Sequence, residues 1–215
     1  MRSPYFRIAE VEVHGTQRVS PEEVIALTGV EPGLSIFSIR AQDVVKAVSG
    51  HPWIQDVDLA RQLPDKVVLN ITERDPFLLV PYRTSFLEVA HDGVVLAVRS
   101  TLSGQALPLV TGFSVEGEVR LGQRLPDEEV TQISRCLKGL PAEFLTQVAE
   151  IHLDPSKEIT LYTLKGVQIL LGEPVKLKQK LALLSATWSE LEAHGQTAVS
   201  IDLRTGKEAV VRLKQ

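Results

Sequence analysis

Side chains able to do chemistry are few in this chain and widely scattered. The five histidines are His14, His51, His91, His152 and His194. Each falls at a turn or element end, and no two stand in a His-x-x-x-His pair. There is no Cys-x-x-Cys and no Gly-x-Ser-x-Gly. Catalysis needs a base or nucleophile held by an orienting partner, and a metal site needs clustered ligands. Cys136 has no evident His, Lys or Arg partner to favour its thiolate, so it reads as a small buried hydrophobe. The paired acids Asp56/Asp58 and Glu128/Glu129 read as solvated surface carboxylates. The glycines are dispersed as turn and cap residues, with no phosphate-cradling loop. The expectation is therefore no catalytic, cofactor-binding or metal-binding residue, and no cofactor; the chain is not read as an enzyme.

Backbone chemistry is what remains, and it gathers near the C-terminus. Val199 to Leu203 alternates apolar and polar, Arg204-Thr205-Gly206-Lys207 is a turn, and Glu208 to Leu213 forms a second arm. No further element is seen beyond Leu213 to cover that arm, so its outer N–H and C=O groups are expected to stand unpaired. Lys207, Glu208 and Arg212 serve on one reading as charges that blunt the edge. On the other, a partner segment adds a strand there, with backbone bonds giving affinity and side chains giving selectivity. Each such bond contributes roughly 1 kcal/mol net. Association costs about 4–15 kcal/mol, so the edge needs help from Val210 and from Lys176 to Lys180 at the start of a nearby helix. Lys176, Lys178 and Lys180 are placed on its outer, solvated side. A proline at Val210 is expected to remove one edge donor.

The elements that position this hairpin follow from pattern. At the front, Phe6 and Ile8 share one phase while Val11 and Val13 share the other, so a bulge or a late strand start is expected near Ala9-Glu10. Ser20-Pro21-Glu22-Glu23 is a helix start with a capping box, carrying Val24 and Leu27 inward to a stop at Gly29. A second helix presents Ala41, Val44, Val45 and Val48 on one face and ends at Gly50, a left-handed cap, before Pro52. Val57/Leu59 and Val67/Leu69/Ile71 mark two half-buried strands joined by turn chemistry at Leu63-Pro64-Asp65. After Pro76 come short apolar runs at Phe77–Val80, Phe86–Ala90 and Val94–Val98, then a short strand at Leu107–Val110. A helix opened by Pro126 carries Val130, Ile133 and Leu137. Strands at 148–153, 159–164 and 167–171 precede the longest helix, 174–194, whose Leu177, Leu181, Leu184, Trp188 and Leu191 must face a sheet.

Hydrophobic residues make up 44% and charged residues 23%, which suits one large or two small globular domains. A balance of 27 acidic against 23 basic residues, −4 in all, argues against nucleic acid as a partner. No run of about 18 apolar residues is present.

The order strand, two helices, hairpin, with Val11-Glu12-Val13-His14-Gly15, Pro52-Trp53-Ile54, Leu63-Pro64-Asp65 and Glu73-Arg74-Asp75-Pro76 in place, resembles a POTRA domain of the FtsQ/DivIB cell-division family. The closing hairpin is similar to that family's C-terminal hairpin. The resemblance implies an α+β chain: an N-terminal β-α-α-β-β POTRA domain over 1–76, then a mostly antiparallel β domain with packed helices over 77–215. It implies a non-enzymatic scaffold of the bacterial divisome on the extracytoplasmic (periplasmic) side of the inner membrane, held by a single-pass anchor upstream of Ser3. It implies FtsB-like and FtsL-like partners, with Arg204, Thr205, Glu208, Val210 and Arg212 as strand contacts and Lys176 and Lys178 on the helix. Other divisome proteins would meet the POTRA part, whose exposed face includes Asp56 and Asp58. Thr205 stands where the family often has an aromatic, and none follows Val210, so the anchor for a partner differs here. The alternative is a POTRA-bearing module of outer-membrane protein assembly or secretion that binds substrate strands. Such modules usually carry several POTRA repeats and a barrel with aromatic girdles, and neither is seen.

Overall fold

A computed structural model describes residues 4–102, 107–125, 130, 133–134 and 137–214. The chain divides into two compact units. One runs from Met1 to Asp75 and also takes in Leu121–Gln123, which no linear boundary anticipates. The other comprises Pro76–Arg120 and Arg124–Gln215.

In the first unit, β1 (Glu10–His14) is followed by α1 (Pro21–Thr28), α2 (Ala41–Val48), β2 (Ile54–Gln62) and β3 (Lys66–Glu73). The sheet order is β1-β3-β2, parallel between β1 and β3 and antiparallel between β3 and β2. The phase slip at Ala9-Glu10 is resolved by a late strand start. Ile8 is buried before β1 begins, and Arg7 forms an isolated bridge with Ser35. Val24, Val44, Val48, Ile54, Val67, Leu69 and Ile71 form one core with Ile8 and Ile36. Fully burying a side chain of this size contributes about 1.5–3 kcal/mol.

Ser20 caps α1 by accepting the Glu23 N–H at 3.2 Å. The other half of the expected box is diverted, since the Glu23 carboxylate lies 3.3 Å from His51 Nε2. Leu27 is exposed rather than inward. Gly50 is not left-handed: α2 closes through Ser49, whose N–H donates to the Val45 carbonyl. Gly15, by contrast, has φ +86°, and a Cβ there would lie 2.1 Å from the Ile71 carbonyl oxygen.

The Glu73-Arg74-Asp75 motif works as a clasp. Glu73 accepts backbone N–H groups from Gln17, Arg18 and Val19 at 2.9–3.1 Å. Arg74 donates to the carbonyls of Pro52 and Ile54. Asp75 pairs with Arg18 at 3.2 Å, and the Arg18 guanidinium lies over the Trp53 ring. Partial burial pushes the Glu73 carboxyl up, but the donors from Val19, Gln17 and Arg18 together outweigh it and hold the group below 4.5, the ordinary glutamate value.

The second unit is built on a nine-stranded sheet. Its strands are β4 (Pro76–Tyr82), β5 (Ser85–Ala90), β6 (Val95–Arg99), β7 (Leu109–Thr111), β8 (Val148–Leu153), β9 (Ile159–Thr163), β10 (Gln168–Gly172), β11 (Ala198–Asp202) and β12 (Val210–Leu213). The order is β12-β11-β10-β9-β8-β7-β4-β5-β6. Five neighbouring pairs are antiparallel and three, β10/β11, β4/β7 and β7/β8, are parallel. The chain is thus α+β with a mostly antiparallel second sheet, as the resemblance implied. Two helices carry labels here, α3 (Ala142–Leu145) and α4 (Leu177–Ala193). Val130, Ile133 and Leu137 are helical and buried against the same core as Leu181, Leu184 and Leu191. The expectations for Pro126 to Glu129 and for Cys136 lie outside the described residues.

Candidate partner-binding edge

The hairpin β11/β12 closes one rim of the large sheet. β11 docks in parallel on β10 through Gln168↔Ser200, Ile169↔Ile201 and Leu170↔Asp202. β12 then pairs antiparallel with β11 from Asp202↔Val210 to Ala198↔Leu213. Among the described residues β12 has no partner on its other side. Ala209 and Val211 pack toward the core, while Val210 is 61% exposed on the opposite face.

Which backbone groups face outward follows from one bond. Lys214 donates its N–H inward to the Thr197 carbonyl at 2.8 Å. Backbone groups alternate sides along a strand, so Arg212 and Val210 also turn theirs toward β11. Val211 and Leu213 present theirs to the open flank. A proline at Val210 would therefore remove an internal ladder donor, not an edge donor, and the expectation for that substitution is corrected.

Each residue singled out from the sequence can now be placed. Arg204 is exposed, and its guanidinium grips Asp202, with Nη2 2.6 Å from Oδ2 and Nε 3.0 Å from Oδ1. That donation holds the Asp202 carboxyl below its usual range and raises Arg204. Thr205 is exposed, and its hydroxyl accepts the Lys207 N–H at 3.3 Å. Glu208 is exposed just before β12, and Arg212 is exposed opposite Ser200. Lys176 is the N-cap of α4 in a left-handed conformation, φ +56°, and Lys178 is exposed in the first turn.

Lys180 departs from the expected outward run. It is only 4% exposed, and its Nζ donates to the carbonyls of Leu171 at 2.7 Å and Glu173 at 2.9 Å. Its stem packs on Gly206 in the hairpin turn. Lys180 stands three residues after Leu177 and four before Leu184, on the apolar stripe, while Lys178 falls on the opposite side, and that spacing was the signal available in the sequence.

The histidines stay apart. His91 stacks on Phe77, and His194 Nδ1 lies 2.8 Å from the Glu190 carbonyl. The sheet does assemble one cluster from separate segments: Thr111 Oγ1 donates to Glu150 at 2.5 Å and lies 2.9 Å from His152 Nδ1. With its proton committed to the carboxylate, the hydroxyl accepts from His152 and is not activated as a nucleophile. No group of three or more His, Cys, Asp or Glu among the described residues is placed to hold a metal ion.

Comparison with known proteins fits both units. Residues 6–74 match the model of the POTRA domain, FtsQ-type, and residues 79–204 match that of the cell division protein FtsQ/DivIB, C-terminal. The chain belongs to the FtsQ/DivIB family of cell division proteins. It is 30% identical over 220 residues to the cell division protein FtsQ of Geobacter sp. (strain M21), covering 98% of this chain and 77% of that one. It is 29% identical to FtsQ of Anaeromyxobacter sp. (strain K), covering 94% and 69%. DivIB of Geobacillus kaustophilus is 25% identical over 73% of this chain. The solved extracytoplasmic domain of DivIB from Geobacillus stearothermophilus aligns with a TM-score of 0.39 at 19% identity, covering 57% of this chain and 94% of that one. Within this FtsQ/DivIB chain, no helix among the described residues is long and apolar enough to cross a membrane.

Proposed function

We propose that this FtsQ/DivIB-family chain is a non-enzymatic divisome scaffold on the extracytoplasmic face of the inner membrane. It binds an FtsB-like division protein, accompanied by an FtsL-like one, by accepting a strand along β12. The observation that carries the reading is the outer side of β12, unpaired among the described residues, with the N–H and C=O groups of Val211 and Leu213 directed into it. An edge of this kind is a template for another strand unless it is blunted.

Those four backbone groups contribute roughly 1 kcal/mol each, against an association cost of about 4–15 kcal/mol. Side chains supply the difference: Val210 and Arg212 on the exposed face, Arg204, Thr205 and Glu208 at the turn, and Lys176 and Lys178 at the start of α4. Because Asp202 already neutralises Arg204 and orders it, that side chain meets a partner without further loss of rotamer freedom. Contacts of other division proteins with the first unit belong to the same scaffold reading.

The test is Leu213→Pro, which removes an outward N–H and leaves the inward ladder to β11 intact. Titrating it with the purified FtsB-like protein of the same genome should show affinity at least tenfold weaker, with the far-ultraviolet spectrum unchanged. Wild-type affinity in that variant would rule out strand addition at this edge.

A further inference from the structure

We infer that Lys180 is a positioning residue for the partner-binding edge, acting through the turn that carries Arg204 and Thr205. The inference rests on the strand-addition reading. A lysine ammonium is rarely taken from water unless its donors are satisfied. Here it reaches the carbonyls of Leu171 and Glu173, on either side of Gly172. Pairing of β10 with β9 is irregular at this point, with a register shift between Leu170 and Gly172. The connection into α4 then passes through Lys176, itself left-handed.

Two contacts tie that connection to the hairpin. The Lys180 stem lies on Gly206, whose added Cβ would meet its Cγ at 3.6 Å and Cε at 3.7 Å. Gly172 has φ +67°, and a Cβ on it would come within 2.8 Å of Arg204 Cγ, so the arginine stem lies against bare backbone. The end of β10, the start of α4 and the 204–207 turn are thereby held at one corner by one buried cation. None of these contacts is on the open flank. Lys180 does not touch an added strand; it fixes the geometry in which Arg204 and β12 are offered. Ordering a loop before binding lowers the entropy lost on association.

The experiment compares wild type, Lys180→Met and Lys180→Gln in binding to the purified FtsB-like protein, with residue-resolved amide exchange on each free protein. Met keeps the stem and removes the donors. Gln keeps a donor but is too short to reach both carbonyls, and serves if the Met variant does not fold. The expected result is a tenfold or greater loss of affinity in Met and a smaller loss in Gln. Faster exchange should be confined to Gly206, whose N–H donates to Leu203, and to the inward amides of β12. A purely structural role would raise exchange equally in β8 and β9. Wild-type affinity, or acceleration spread over the whole sheet, overturns the inference. Leu213→Pro separates the two ideas. If it leaves binding intact, the edge reading falls, and unchanged exchange at Gly206 in the Lys180 variants then overturns the positioning role as well.

Discussion

Glu73 gathers three backbone N–H groups of the 17–19 loop on one carboxylate. Replacing it with Ala is expected to destabilise the first unit by about 1–3 kcal/mol, the loss of hydrogen bonds to a charged acceptor, read from urea denaturation. The charge also sets a pH dependence. The folded carboxyl is depressed below 4.5, so the unfolded chain takes up its proton first as pH falls. Its contribution is complete above pH about 4.5 and fades as pH drops through the folded value. Glu73→Gln should flatten that acid limb in urea midpoints measured from pH 6 down to 3. Gly15 gives a steric counterpart. Any side chain there collides with the Ile71 carbonyl, and Gly15→Ala should lower the first unit's midpoint sharply, since backbone cannot move aside cheaply. Both residues stood out in the sequence by position. Their reasons did not, because a carboxylate's three donors and a glycine's facing carbonyl come from segments more than 50 positions away.

Among the elements, strand faces were legible and strand neighbours were not. Period-two alternation sets Val211 and Val210 on opposite faces, and the structure packs Val211 on the core and exposes Val210. It carries no information on which strand lies beside which, so the parallel β10/β11 and β7/β8 pairings emerged only with the structure. Edge polarity was likewise hidden: side-chain phase does not say which N–H faces the open flank, and so cannot tell Val210 from Leu213 as the edge donor. Val210→Pro is now expected to disturb the β11/β12 ladder itself, seen as faster exchange at Lys214 and Arg212, whereas Leu213→Pro should leave those amides protected. The lysine run of α4 shows another limit. A solvated stripe overlooks that Lys180 falls between Leu177 and Leu184 on the apolar face, where it is a buried clamp.

For the whole molecule, two units with separate cores imply separable stabilities. Gly15→Ala should lower the first unit's calorimetric transition alone and leave affinity for the FtsB-like protein at the wild-type value. Loss of that affinity would mean the first unit shapes the binding edge. The order of elements was legible because punctuation by Gly, Pro and capping residues survives in sequence. The segment Leu121–Gln123 was not, since its membership of the first unit depends on chain return rather than local pattern.

The place of β12 in the order of synthesis has a consequence of its own. Every other described strand of the large sheet precedes it, and α4 separates β11 from its parallel neighbour β10 in the chain. On the proposed strand addition, the edge offered to a partner therefore forms only after the other described strands of this sheet. A chain stalled or misthreaded upstream lacks that edge, so recruitment by the proposed strand addition would double as a check that this sheet has formed.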